Sequence, residues 1–411
     1  MKPMRNVTRS VLVCLAASGL AACGSAGSGA APAPNSTTGA SHAAYNVIAV
    51  ADLSGESAAT NGGMAAYGAK AYFDMINSQG GVNGHKINYI VLDSQSSATG
   101  AVAAYHKALS YNPIAIIQAG ISVEFAAASP VATTAHIPVI ATGGMADSEV
   151  YPPRPYIFEA IPSAYQTAYG ELEFAIQQAK AKGIADPRIA LTAIDSAYGA
   201  NYAQDVVQLQ SRLGFKVVSS DLTALNANSF SSGASKFAAA KPDYIVAVQN
   251  TNFMPVVASD LTSDGVNAPV INFFGGDSPA LYQQLNDPNY YVMRPVQFPA
   301  TPSLTQLNAA AKKAGVSSYE TGDDFTASWI EAQFIAQAIR QGCTGSITCN
   351  GATIEKTIQS GVSVNSQPNS FGPFTANAHS HTMVSEVQPV HYVNGSIVDA
   401  GSAVTVTSSP S

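Results

Sequence analysis

An α/β fold built on doubly wound parallel sheets is what this sequence of 411 residues predicts, and three observations lead there. Short apolar runs of strand length alternate with stretches of helical periodicity, the pattern of parallel strands joined by crossover helices. The runs are apolar on successive residues, as in Ile114-Ala115-Ile116-Ile117, which suits strands covered on both faces. The alternation breaks at Pro152-Pro153-Arg154-Pro155 and a second set of alternating elements starts at Arg188, in a chain long enough for two domains.

At the N-terminus, Lys2, Arg5 and Arg9 precede a short apolar core, Val11 to Ala17, which is too short for a membrane span. Leu20-Ala21-Ala22-Cys23 resembles the bacterial lipoprotein cleavage box. That resemblance implies a signal peptide over 1–22, cleavage before Cys23 and acylation of its thiol. The alternative is a plain secretory signal with an incidental cysteine. Residues 23–44 are rich in Gly, Ala, Ser and Pro and read as a flexible tether. No later stretch of about 20 apolar residues follows, so the expected arrangement is a body anchored to the extracytoplasmic face of a cell membrane.

The first lobe begins with a strand at Tyr45 to Asp52. A helix follows from Gly62 to Ser78, with Met64, Gly68, Tyr72, Met75 and Ile76 spaced on one face. It stops at Gln79-Gly80-Gly81, where glycine ends a helix readily. Lys86 to Leu92 is the next strand, closing at Asp93, and a helix near Thr99 to Tyr111 leads to the Ile114 strand. The chain turns through Gly120-Ile121-Ser122, forms a helix from Val123 to His136, and enters a short strand, Ile137 to Ile140, that ends at Thr142-Gly143-Gly144. Two neighbouring strands thus finish at small or hydroxyl-bearing residues. In an open parallel sheet, ligands sit outside the carboxyl ends of the strands, where free N–H groups favour anions. Ser122 and Thr142 can add hydrogen bonds there. Ordinary turns would use the same residue types.

Leu53-Ser54-Gly55, then Gly68-Ala69-Lys70-Ala71-Tyr72-Phe73-Asp74-Met75-Ile76-Asn77, then Gly80-Gly81-Val82-Asn83-Gly84 resembles the Leu/Ile/Val-binding protein family. These are substrate-binding components of branched-chain-amino-acid-type ABC importers. The resemblance extends more weakly from Tyr45 to Asp399. It implies a type I periplasmic binding protein: two Rossmann-like lobes, three crossover segments and a ligand between the lobes. The division it suggests is 45–160 plus 298–370 for the first lobe, 161–297 plus 371–400 for the second, and a tail over 401–411. Tyr156 to Ala160 and Tyr290 to Phe298 read as hinge strands, and Phe371-Gly372-Pro373-Phe374 resembles the third crossover. In the second lobe the strands fall at Arg188 to Ala193, Phe215 to Ser220, Asp243 to Val248 and Pro269 to Phe274. Helices dominate from Ser303 to Ser360, with Phe325, Trp329, Ala332, Ile335 and Ile339 on one face, so Trp329 reads as core. A closing hairpin turns at Asn394-Gly395.

Carried over residue by residue, the resemblance places Asn61, Ser122, Thr142, Gly143 and Gly144 of the first lobe at the ligand, with Tyr165, Tyr198, Asn250 and Asp277 of the second. Two departures affect ligand choice. Thr60-Asn61-Gly62 carries an amide where the family often has an aromatic ring. Gln249-Asn250-Thr251-Asn252-Phe253 lacks the carboxylate with which amino-acid binders hold the ligand ammonium, and a buried ammonium needs such acceptors. Asp277 is the available substitute; its other reading is a cap for the helix opening at Ser278-Pro279.

Charged residues are 11% of the chain, against about 25% in an average soluble protein. The net charge is −7 with no basic block, which argues against a nucleic-acid partner. Cys343 and Cys349 are expected to pair in an oxidising compartment. His379-Ser380-His381, with His391 nearby, reads as an exposed polar loop rather than a metal site. Gly120-Ile121-Ser122-Val123-Glu124 lacks the final glycine of a nucleophile elbow, and no phosphate loop is present. The expectation is therefore a monomeric, non-enzymatic, lipid-anchored binding protein that needs no cofactor, captures a small polar ligand and delivers it to ABC permease subunits. A sensor presenting the solute to a membrane signalling partner is the alternative, and a serine hydrolase using Ser122 a distant third.

Overall fold

In a computed structural model, the described residues are 43–407 except 59–62, 143–144, 225, 300, 320–321 and 346–347. The expectations for Cys23, the signal peptide and Asn61, Gly143 and Gly144 lie outside them.

The first sheet takes β1 (Tyr45–Ala51), β2 (Ile87–Asp93), β3 (Ala115–Ala119), β4 (Val139–Ala141) and β5 (Ile157–Glu159), all parallel, in the order β2-β1-β3-β4-β5. Its crossovers are α1 (Met64–Ser78), α2 (Ala98–Leu109), α3 (Ser122–Thr134) and the short α4 (Asp147–Val150). α5 (Ala164–Ala181) then opens the second lobe. There β6 (Arg188–Ile194), β7 (Lys216–Thr223), β8 (Tyr244–Val248), β9 (Val270–Asn272) and β10 (Tyr290–Arg294) alternate with α6 (Ala197–Leu213), α7 (Ser231–Ala240), α8 (Met254–Ser263) and α9 (Pro279–Leu285).

The chain next supplies α10 (Thr305–Ala314), α11 (Asp323–Gly342) and α12 (Gly351–Gln359), and a pair of short strands, β11 (Val362–Val364) and β12 (Phe374–Ala376). α10 and α11 pack on α1 of the first lobe. It ends with β13 (Glu386–Val393), antiparallel to β10, then β14 (Ser396–Asp399) and β15 (Val404–Thr405), which complete the second sheet. The β13–β14 turn runs through Asn394 and Gly395, both at positive φ, the geometry a two-residue hairpin requires.

Each sheet is covered on both faces, which is why its strands read as unbroken apolar runs. On the first, Ile48, Val50 and Ile116 meet Tyr105 and Phe125 of α2 and α3. Val47, Ala49 and Ile117 face the cluster that holds α1 and α11. Trp329 is fully buried there, edge-on to Tyr72 at 5.1 Å. The α1–α11 contact is close because Gly68 has no side chain: a Cβ would lie 1.9 Å from the Phe325 carbonyl oxygen. On the second sheet, Ile245 and Ala247 pack under Phe237, Val257 and Leu281.

Two sequence expectations are corrected. Residues 371–376 were placed in the second lobe, but β12 pairs with β11 and Thr382 bridges to Glu159 of β5, so the return to the second sheet comes after residue 382. The segments read as hinge strands form β5, an edge strand of the first sheet, and β10, an interior strand of the second, which is no departure from the sequence reading. The short length of β12 hid which strand it joins. His381 is not in an exposed loop. It is buried at 1% exposure against Phe158, with Nε2 3.0 Å from the Gln359 amide nitrogen, and burial lowers its pKa, so it sits neutral. Cys343 and Cys349 are joined by a disulfide.

Candidate functional site

Register puts the strand ends of each sheet in a row. Ala51 pairs with Asp93 and with Ala119, Gln118 with Ala141, and Ala141 with Glu159. The turns carrying Ser122 and Thr142 therefore leave neighbouring strands at the same edge. Ser122 is the first residue of α3, and the preceding Ile121 offers no side-chain cap, which leaves that helix's leading N–H groups to other acceptors. Thr142 is 4% exposed and gives both its N–H and its hydroxyl to the Gln118 carbonyl, at 3.0 and 3.1 Å.

Beneath the Ser122 turn lies a fully buried polar group: Asp52, Ser94, Gln118 and Glu124. The Ser94 hydroxyl donates to Asp52 Oδ1 at 2.8 Å, and Gln118 Nε2 donates to Glu124 Oε2 at 3.3 Å. Burial, then the hydrogen bond and charge of Asp52, push the Glu124 carboxyl up to about 8. Gly120 permits this convergence. A Cβ there would meet Glu124 Oε2 at 2.0 Å, Gln118 Nε2 at 2.9 Å and Asp52 Oδ1 at 3.0 Å. The group holds the turn in place and keeps a proton that a solvated carboxylate would lose.

The second sheet has a matching row: Ile194 pairs with Thr223, Ala193 with Val248, and Ala247 with Asn272. Gln249 ties it together, donating its amide to Thr192 and Thr223 hydroxyls at 2.8 Å each while Asn272 accepts its N–H. Asn250 opens α8, its carbonyl accepting from Phe253 and Met254. Tyr198, in the first turn of α6, is 5% exposed. Its hydroxyl lies 2.7 Å from Thr167 Oγ1 and donates to the Pro162 carbonyl at 3.2 Å, where the chain first crosses between lobes. Its ring stands 6.2 Å from Phe273, beside Phe274.

Besides Thr142 and Tyr198, two more of the expected site residues are engaged inside the protein. The Tyr165 hydroxyl accepts from Arg212 Nη1 at 2.9 Å, and Tyr165 is 2% exposed. Asp277 caps no helix, and its carboxylate is not free for an ammonium group. Arg294 grips both oxygens, Nε to Oδ2 at 2.6 Å and Nη2 to Oδ1 at 3.0 Å, and the Tyr282 hydroxyl donates to Oδ1 at 2.7 Å. Arg294 lies seventeen positions from Asp277 on the adjacent part of the sheet, a pairing that sequence spacing does not reveal.

The chain beyond Thr142 spans the lobe boundary. Asp147, on the loop that begins at Thr142, reaches the second lobe: its Oδ1 accepts from the Tyr165 N–H at 3.1 Å, and its own N–H donates to Asn201 Oδ1 at 3.0 Å. Sequence reasoning missed Asp147; an acidic residue directly after Met145-Ala146, at the end of the Thr142 loop, was the signal available. Glu159, at the end of β5, accepts from the Met145 N–H at 2.7 Å and braces the same loop.

A family pattern described as periplasmic binding protein matches residues 45–396, nearly all of the described body. The chain belongs to the periplasmic binding protein family. Solved structures agree on the fold. A branched-chain amino acid ABC transporter protein from Thermus thermophilus with bound valine superposes with a TM-score of 0.72 at 16% identity, over 89% of this chain and 97% of that one. A leucine-, isoleucine-, valine-, threonine- and alanine-binding protein from Brucella ovis, in a closed conformation, gives 0.72 at 20%, over 88% and 95%. A fatty acid ABC transporter substrate-binding protein from Thermomonospora curvata gives 0.70 at 16%, over 88% and 92%. No curated protein sequence matches this chain significantly. This periplasmic binding protein has the type I fold with two parallel-sheet lobes, and its family is one of binding proteins, not enzymes. No described helix is long and apolar enough to cross a membrane.

Proposed function

We propose that this periplasmic binding protein is the lipid-anchored, extracytoplasmic receptor of an ABC importer, capturing a small polar solute between its lobes and presenting it to the permease. The observation that supports the reading is the reach of the loop beyond Thr142 across to the second lobe, where Asp147 meets Tyr165 and Asn201, with Ser122 at the head of α3 on one side and Asn250 ahead of α8 on the other. A solute touching both rows favours closure in proportion to its affinity difference between open and closed forms. Anchoring through Cys23 rests on the cleavage box alone.

The state of Asp277 bears on the solute. With its carboxylate held by Arg294 and Tyr282, and with an amide rather than a carboxylate at Asn250, the second row favours amides, small carboxylates and polar aromatic compounds over α-amino acids. A thermal-shift screen over those classes tests this. A solute at about 100 times its dissociation constant adds roughly 2.7 kcal/mol of stability. Stabilisation by an α-amino acid alone would overturn the solute assignment, and stabilisation by no member of any class would overturn the capture reading.

A further inference from the structure

Asp147 belongs to the first lobe in sequence and to the second in its contacts. Its carboxylate accepts the Tyr165 N–H in the first turn of α5, and the positive end of that 18-residue helix favours a negative charge there. α5 already has its own capping box, Ser163 with Gln166, so Asp147 adds a second cap that comes from across the lobe boundary. Its N–H donates to Asn201 one turn before Asp205 on α6. Asp205 is 6% exposed and in side-chain hydrogen-bond contact with Asp147, while its Oδ2 has no partner among the described residues. Two carboxyl groups in hydrogen-bond contact must share a proton, since two carboxylates at that distance repel.

We propose that Asp147 is a latch between the lobes, engaged while the Asp205 carboxyl beside it keeps its proton and released when Asp205 ionises. The surroundings support a proton-dependent contact. Among the described residues, the other titratable groups acting on Asp147 are Glu159 on β5 and Tyr198 on α6, while Tyr165 of α5 meets it through its backbone N–H. Burial raises the pKa of Glu159 and Tyr198, and a carboxyl and a phenol bring no positive charge in either protonation state. Arg212 of α6 donates to the Tyr165 hydroxyl and lies over the Tyr169 ring, and on the other side Glu149 pairs with Arg154. Burial first, and Asp147 second, push Asp205 up to about 9. The latch is thus engaged at neutral pH and opens in alkali. It adds to solute capture a bias toward closure that is present before any solute binds.

Small-angle X-ray scattering of the solute-free protein tests it, so a failure to find a transported solute and a failure of the latch are separate results. The wild type is expected to be compact at about pH 6 and to expand by about one-twentieth in radius of gyration at about pH 9.5. Asp205→Asn stays compact at both values, and Asp147→Ala is expanded at both, with unchanged far-ultraviolet circular dichroism. A wild type with equal radii at the two values overturns the latch, as does an Asp147→Ala chain as compact as the wild type. If Asp147→Ala fails to fold, Asp205→Asn decides alone: expansion in alkali that persists in that variant also overturns it.

Discussion

Arg294 and Asp277 form a two-pronged ion pair at the end of β10, with the arginine side chain 5% exposed and the aspartate fully buried. Phe298 lies 4.1 Å from the guanidinium on its other side. Burial alone would lower the pKa of Arg294; the charge and hydrogen bonds of Asp277 outweigh it and raise the value. A second carboxyl, Asp323 at the start of α11, is close enough to act on both, so the pair also sits where the lobes approach.

Removing one partner strands the other charge. Asp277→Ala should destabilise the protein by about 3–5 kcal/mol, and Arg294→Met by a similar amount, whereas Tyr282→Phe should cost about 1 kcal/mol. Urea denaturation measures all three. A loss under 1 kcal/mol for Asp277→Ala would mean that the pair is not formed in solution.

Glu124 gives stability a downward slope in alkali. Its folded pKa, near 8, lies above the ordinary value of 4.5, so the native state holds a proton that the unfolded chain has released. The contribution is fully present below the unfolded value and is lost as pH rises through the folded one. Glu124→Gln should flatten this slope between pH 5 and about 9, read as melting temperature against pH. A variant curve parallel to the wild type would remove Glu124 from the account.

His381 acts in the opposite direction. Its folded pKa is lowered from 6.5 by burial, so protons bind the unfolded chain first. Stability is complete above 6.5 and falls as pH drops below that value. His381→Gln, which keeps a polar group beside Gln359, should be less acid-sensitive than the wild type in the same melting series.

Gly68 sets the distance between α1 and α11. With a Cβ landing 1.9 Å from a backbone oxygen, Gly68→Ala must push the helices apart, at an expected cost of about 1–3 kcal/mol in urea denaturation. Gly80→Ala meets nothing within 4 Å but sits at φ +107, so it separates backbone strain from crowding.

The disulfide closes a loop with a sequence separation of six. Reduction, or Cys343→Ser with Cys349→Ser, should cost about 2 kcal/mol on the chain-entropy model, checked by melting with and without reductant.

How much of this was legible follows from range. β1 to β4 and their helices were readable because each is a contiguous apolar run ending at a turn former, and local pattern suffices. The fate of Asp277 was not, because its partner arrives from another strand; nor was that of Asp147, whose partners lie on the other lobe. β12 was misassigned because three residues carry no periodicity, and its sheet is chosen by Thr375 and its neighbours meeting Ser363. His381 was read as exposed from its polar neighbours, although the Phe158 ring covers it.

The bond from the Ala69 N–H to the Ser328 hydroxyl spans 259 positions, and it belongs to the contact that seats α1. A nascent chain therefore carries an unfinished half until α11 has been made, with the inner face of α1 uncovered through most of synthesis. Truncations ending before Asp323 should be bound by holdase chaperones, whereas the full-length chain escapes them once its last helices dock.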